Sequence, residues 1–164
     1  MPLRVAVSSS RHLGDTSWSG ADAPDRGVHL ATPVQGERCT PTEGEWYPPD
    51  DDRCISGPRG LDIDHLVPLA EAWDSGASAW TAAVREAYAN DLGDDRALIA
   101  VSAASNRSKA DQDPTTWLPP AAGYRCTYVT DWVADKTRRG LTIDAAEHDA
   151  RADQLCKCPN TPSP

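Results

Sequence analysis

Leu61-Asp62-Ile63-Asp64-His65-Leu66-Val67-Pro68-Leu69 decides how this chain is read. Apolar and acidic residues alternate from Leu61 and then run apolar into a proline, the pattern of a short strand with one half-buried face. Neighbouring side chains on a strand point to opposite faces. Asp64 and His65 can therefore flank one reacting centre from two directions. Alternatively, one of them turns inward and needs a partner there. An exposed edge aspartate beside a structural histidine is the plainer reading, and a short motif does not separate the two.

A second segment downstream bears on the choice. Ala97 to Val101 is a short apolar run between polar flanks, which predicts a second strand. Ser102 is placed to cap a helix that contains Asn106-Arg107-Ser108-Lys109-Ala110-Asp111 and stops before Asp113-Pro114. Ser102, Asn106 and Lys109 are four and three residues apart, so they share one helical face. Between the strands, Leu69 to Trp73 can make a helical turn carrying Glu71. Ser78 can cap a helix through about Asn90, with Trp80, Val84, Ala87 and Tyr88 as its apolar, core-facing stripe. The order is strand, helical insert, strand, helix.

The chain has 164 residues, enough for one domain with a modest core. Phe is absent while 11 Gly and 14 Pro are present, which favours short elements and long loops. Six Trp can supply the buried area that scarce aliphatic residues do not. A net charge of -9 argues against gripping nucleic acid by bulk electrostatics, so a polyanion needs a local basic cluster or a bound metal ion.

Residues 1–36 are rich in Ser, Gly, Asp and Pro without a period and read as a flexible lead-in, where His12 and His29 carry no chemistry. From Glu37 to Gly60 an irregular flap is expected, with Asp50-Asp51-Asp52 as a solvated acidic run. Tyr124 to Arg139 predicts an amphipathic helix with Tyr128, Val129, Trp132 and Val133 inward and Gly140 as its stop. Thr142 can cap a last helix to about Cys156, and residues 159–164 form a loose tail. His148 on that helix reads as a surface residue.

The five cysteines, Cys39, Cys54, Cys126, Cys156 and Cys158, suggest disulfides and an oxidising compartment. Cys39 with Cys54 would close a small loop, and Cys126 with Cys156 or Cys158 would tie the last helices together. Secretion is the expected destination, with a cytoplasmic protein of reduced cysteines as the alternative, since Met1 to Val7 is too short for a signal sequence; no membrane-spanning stretch is visible.

Asp62-Ile63-Asp64-His65-Leu66-Val67-Pro68 with Asn106-Arg107-Ser108-Lys109-Ala110-Asp111 resembles the HNH, or His-Me finger, nucleases. More narrowly, residues 37–158 look like small actinobacterial secreted HNH proteins related to the C-terminal domain of GmrSD-type restriction enzymes. Leu69-Ala70-Glu71-Ala72-Trp73, Ala89-Asn90-Asp91-Leu92, Asp113-Pro114 with Trp117, and Cys126 extend the likeness. It implies an α+β fold with a small ββα-metal core, a helical insert and C-terminal helices. It further implies His65 as the general base that activates water, with Asp64 and Asn106 as ligands of one divalent ion. Arg107 and Lys109 offer positive charge to a substrate phosphate.

The chemistry agrees with that assignment. Phosphodiester cleavage needs a base active near neutrality and a cation to offset developing charge. A carboxylate and an amide oxygen suit Mg²⁺, with Mn²⁺ as substitute, better than Zn²⁺. The sequence departs from the family in one respect. The middle Asn, which orients the base from the loop before the second strand, has no clear counterpart; Asn90, Asp95 or the backbone alone can take that part. Glu71 can be a partner behind the metal ligands or a salt bridge in its helix turn.

The expected function is thus a monomeric, metal-dependent endonuclease of low sequence specificity, acting on DNA ahead of RNA and without a membrane partner. A secreted zinc hydrolase of peptide or cell-wall substrates is the first alternative, weakened by the lack of an H-E-x-x-H motif. A noncatalytic, nuclease-like binding module is the second.

Overall fold

The computed structural model describes residues 31–35 and 41–159, with side chains from Glu45 onward. Its architecture is α+β, with two small antiparallel sheets and five α-helices among the described residues. The first sheet has the order β1 (Ala31–Gln35), β2 (Pro41–Trp46), β3 (Ile55–Ser56). Regular structure therefore reaches back into the expected lead-in, and the expected irregular flap contributes two strands. Pro41-Thr-Glu-Gly-Glu-Trp46 has no clean alternation, and its strand state comes from pairing with neighbours on both sides.

The second sheet pairs β4 (Leu61–His65) with β5 (Leu98–Ser102), Leu61 opposite Ser102 and His65 opposite Leu98. α1 (Leu69–Asp74) and α2 (Ala82–Ala89) fill the connection, and α3 (Ala103–Lys109) leaves β5 without a linker. α4 (Arg125–Arg139) and α5 (Ala145–Leu155) complete the chain.

Two caps differ from expectation. Ser78 lies in a 3-10 turn, and Thr81 caps α2 by accepting from the Val84 N–H at 3.3 Å. Trp80 consequently precedes the helix. Val84 and Ala87 are exposed, leaving Tyr88 as the buried member of the stripe. At α5 the cap is Asp144, which accepts from the Glu147 N–H at 2.8 Å, while the Thr142 hydroxyl donates to the Ser75 carbonyl. Gly140 ends α4 in the left-handed conformation at φ 64°, as expected of a glycine stop.

Leu66 and Val67, directly after β4, are buried with Ala72, Tyr88, Trp117, Tyr128, Val129 and Trp132. Each of these aliphatic anchors stabilises the fold by about 1.5–3 kcal/mol. Trp117, Tyr128 and Trp132 contact ring to ring, doing the packing that Phe performs elsewhere. The Tyr88 hydroxyl donates to the Val67 carbonyl at 2.7 Å. The end of β4 that bears His65 is thereby fixed from both sides.

A buried ion network joins three helices. The Lys136 ammonium on α4 donates to Glu71 of α1 at 2.6 Å, to Ser75 at 2.8 Å and to Glu147 of α5 at 2.7 Å. Trp132 Nε1 donates to the other Glu147 oxygen at 2.7 Å. Glu71 is therefore a salt-bridge residue that reaches across to α4.

Cys126 and Cys158 form a disulfide between the start of α4 and the end of α5. Cys54 and Cys156 are free and exposed. Cys39, the expected partner of Cys54, lies outside the described residues, as does most of the segment 1–36 and the tail from 160. Closing a loop with a separation of 32 residues stabilises by about 3–4 kcal/mol in the chain-entropy model. Cys158→Ser should lower the stability measured by urea unfolding by that amount, and dithiothreitol should have no further effect on the variant.

Candidate active site

Strand alternation sets the geometry. Asp62 and Asp64 share one face of β4, opposite Val101 and Ile99 of β5. Ser102 ends β5 and its hydroxyl accepts from the Ser105 N–H at 3.0 Å, so the chain turns at once into α3. The face predicted for α3 then lies against β4. Asn106 Nδ2 donates to Asp62 Oδ2 at 3.1 Å. One turn later Lys109 Nζ donates to Asp64 Oδ2 at 2.5 Å and to the His65 carbonyl at 2.6 Å. Arg107, between them, is exposed.

Lys109 departs from its expected part. The sequence pattern places it at a substrate phosphate, yet it is fully buried, its ammonium engaged by Asp64 and a backbone oxygen. Burial pushes the Lys109 ammonium down and the Asp64 carboxyl up, each opposed by the other's charge. A salt bridge so enclosed holds the helix on the strand. Asp62, two residues before Asp64, lies on the same face of the strand and is the residue that Asn106 meets.

His65 faces the other way, towards α2. Its Nε2 lies 3.0 Å from the Ala89 carbonyl, and its ring stacks on Tyr88 with centroids 6.2 Å apart. A carbonyl only accepts, so Nε2 carries the hydrogen, and in the neutral imidazole Nδ1 is the nitrogen with the lone pair. Asn90 contributes indirectly. Its Nδ2 donates to the Glu86 carbonyl at 2.9 Å, closing the end of α2 that presents Ala89. Asp95 is an exposed loop residue. The loop itself is braced by Asp94, held below the usual carboxylate range by hydrogen bonds from Arg96, and by Asp91, which pairs with Arg138 and Arg139.

The acidic run of the flap also differs from expectation. Asp52 is exposed, but Asp50 is 1% exposed, and Asp51 accepts from the Ser105 hydroxyl at 2.7 Å. Among the described residues Asp50 Oδ1 and the Tyr128 hydroxyl find no hydrogen-bond partner. Burial pushes the Asp50 carboxyl from 3.8 to about 7, with Lys109 opposing and Asp64 and Asp51 adding to the rise. The fold thus favours the protonated acid. That contribution is intact below about pH 4, is lost as pH rises through about 7, and corresponds to about 4 kcal/mol. Asp50→Asn should match the parent near pH 4 and exceed it in stability at pH 8. An equal difference at both pH values in urea unfolding would contradict this.

Residues 35–157 match the family described as GmrSD restriction endonucleases, C-terminal domain. The chain belongs to that family. That family is the C-terminal domain of enzymes described as restriction endonucleases. The chain is similar to an uncharacterized secreted protein of Arthroderma benhamiae, 41% identical over 120 residues. That alignment covers 73% of this chain and 58% of the relative, so this chain spans little more than half the length of that protein. No solved structure matches. Among the described residues no helix is long and apolar enough to cross a membrane.

Proposed function

We propose that this domain is a metal-dependent endonuclease of the HNH type, hydrolysing phosphodiester bonds of nucleic acid, DNA ahead of RNA, with low sequence specificity. In this reading β4, β5 and α3 form a ββα-metal, or His-Me finger, core. The observation that carries it is the His65 imidazole. Its Nε2 hydrogen is committed to the Ala89 carbonyl, which orients the ring and leaves Nδ1 as proton acceptor. That is the state a general base needs in order to take a proton from water. The middle role of the HNH motif then falls to the backbone at Ala89, with Asn90 positioning it.

The donor chemistry fits a hard divalent ion. Asp62, Asp64 and Asn106 carry oxygen donors on facing surfaces of β4 and α3, and none is a thiolate or imidazole. Asp64 and Asn106, with Asp62 beside Asn106, would hold Mg²⁺ or Mn²⁺. When bound, such an ion offsets charge on the phosphate and the leaving oxygen. Lys109 neutralises part of the acidic charge and keeps α3 seated, and exposed Arg107 is available to the phosphate backbone. Secretion and a monomeric state belong to the same proposal; the secreted relative and the disulfide support the first.

The zinc-hydrolase reading has less support. Among the described residues no three His, Cys, Asp or Glu side chains converge for a metal, and His148 is exposed beside Asp149. Incubating the purified chain with plasmid DNA and with RNA in Mg²⁺, Mn²⁺ or Zn²⁺, beside an EDTA control, tests the proposal. Nicking in Mg²⁺ or Mn²⁺ that EDTA stops is expected. Zinc-stimulated peptide cleavage without nicking would favour the hydrolase, and a metal-loaded protein inert on both nucleic acids would favour a binding module.

A further inference from the structure

A chain of net charge -9 cannot hold a polyanion by its overall field, so a nuclease built on it needs local contacts that gain affinity in another way. One surface feature has the required chemistry. Trp73 on α1 is 50% exposed, and Leu69, one turn earlier on the same helix, is 49% exposed. The Arg85 guanidinium of α2 lies 5.3 Å from the Trp73 ring centroid. It covers one side of the indole, and its Nη1 donates to the Trp80 carbonyl.

The feature is linked through α2 to the proposed reacting centre. Arg85 and Ala89 are four residues apart on α2, one turn or about 6 Å along the helix. Ala89 is the residue whose carbonyl holds His65. Trp80 meets Tyr88 edge to face at 5.5 Å, and Tyr88 stacks on His65. A half-exposed indole with an arginine beside it, that arginine one helical turn from the residue that holds the general base, matches how single strands are held: a base on an aromatic face, a cation for its phosphate. Duplex DNA keeps its bases stacked on each other and cannot use such a face.

Resting on the nuclease reading above, we propose that Trp73 and Arg85 form a subsite for one unpaired nucleotide of the substrate strand. Trp73 stacks on the base and Arg85 takes the adjoining phosphate. The consequence is a preference for single-stranded or locally opened nucleic acid.

The test measures binding in Mg²⁺ by fluorescence anisotropy on His65→Ala protein, so that turnover is removed. The probes are a labelled single-stranded oligonucleotide and the duplex of the same sequence. Adding Trp73→Ala should weaken single-strand binding about ten- to a hundred-fold while changing duplex binding little. Trp73→Phe should restore most of the loss, and neither variant should shift the melting temperature. Unchanged single-strand affinity in Trp73→Ala, or an equal loss on both probes, would overturn the subsite while leaving the nuclease reading intact. Absence of binding to either probe, together with absence of nicking by the His65 parent, would overturn both.

Discussion

His65→Ala should lose phosphodiester cleavage by about two to four orders of magnitude, the usual contribution of a positioned general base. Plasmid nicking in Mg²⁺ measures it. The fold should survive, because the side chain contributes one 3.0 Å hydrogen bond and partial stacking on Tyr88. Loss of one such bond costs about 0.5–1.5 kcal/mol. Nicking at the parent rate would remove His65 from the mechanism. A smaller loss is expected of Asn90→Ala, which slackens the end of α2 but leaves the Ala89 carbonyl in the chain.

The second large effect concerns stability. Lys109→Met should destabilise the fold by about 3–5 kcal/mol, because it strands the Asp64 carboxylate in a buried site without its counter-charge. Urea unfolding of the parent and variant reads this directly. The double variant Asp64→Asn with Lys109→Met should recover part of the loss, since neither partner is then left charged and alone. Had Lys109 served the substrate at the surface, the variant would weaken substrate binding and leave the unfolding midpoint in place. That outcome would refute the buried-pair account.

Much of this site is legible in the chain itself, and the reasons are local. Alternation from Leu61 to His65 fixes which carboxylates share a face, Ser102 marks the turn from strand to helix, and three- and four-residue spacing aligns Asn106 with Lys109. Partnership across elements is less legible. Lys109 as read from its own helix is a polar residue near a motif; only the approach of β4 makes it a buried ion. Asp50 looks solvated in a run of three aspartates because the residues that bury it stand far along the chain. Ala89 offers no side-chain signal at all, since its part is played by a carbonyl. Val84 and Ala87 fit a helical stripe, but the helix starts at Ala82 and is too short to bury more than one side of its last turn.

The Lys136 network bears on how this protein can be cut and recombined. Every residue proposed to do chemistry falls between 61 and 109, which invites treating that stretch as a cassette to be fused elsewhere. Glu71 within it is matched by a cation from α4, and that cation is matched in turn by Glu147 of α5. Leu66 and Val67 likewise belong to one buried cluster with Tyr128 and Trp132 of α4. Excised alone, the stretch would expose its apolar anchors and leave Glu71 without its cation, so the proposed catalytic portion is inheritable only together with the last two helices.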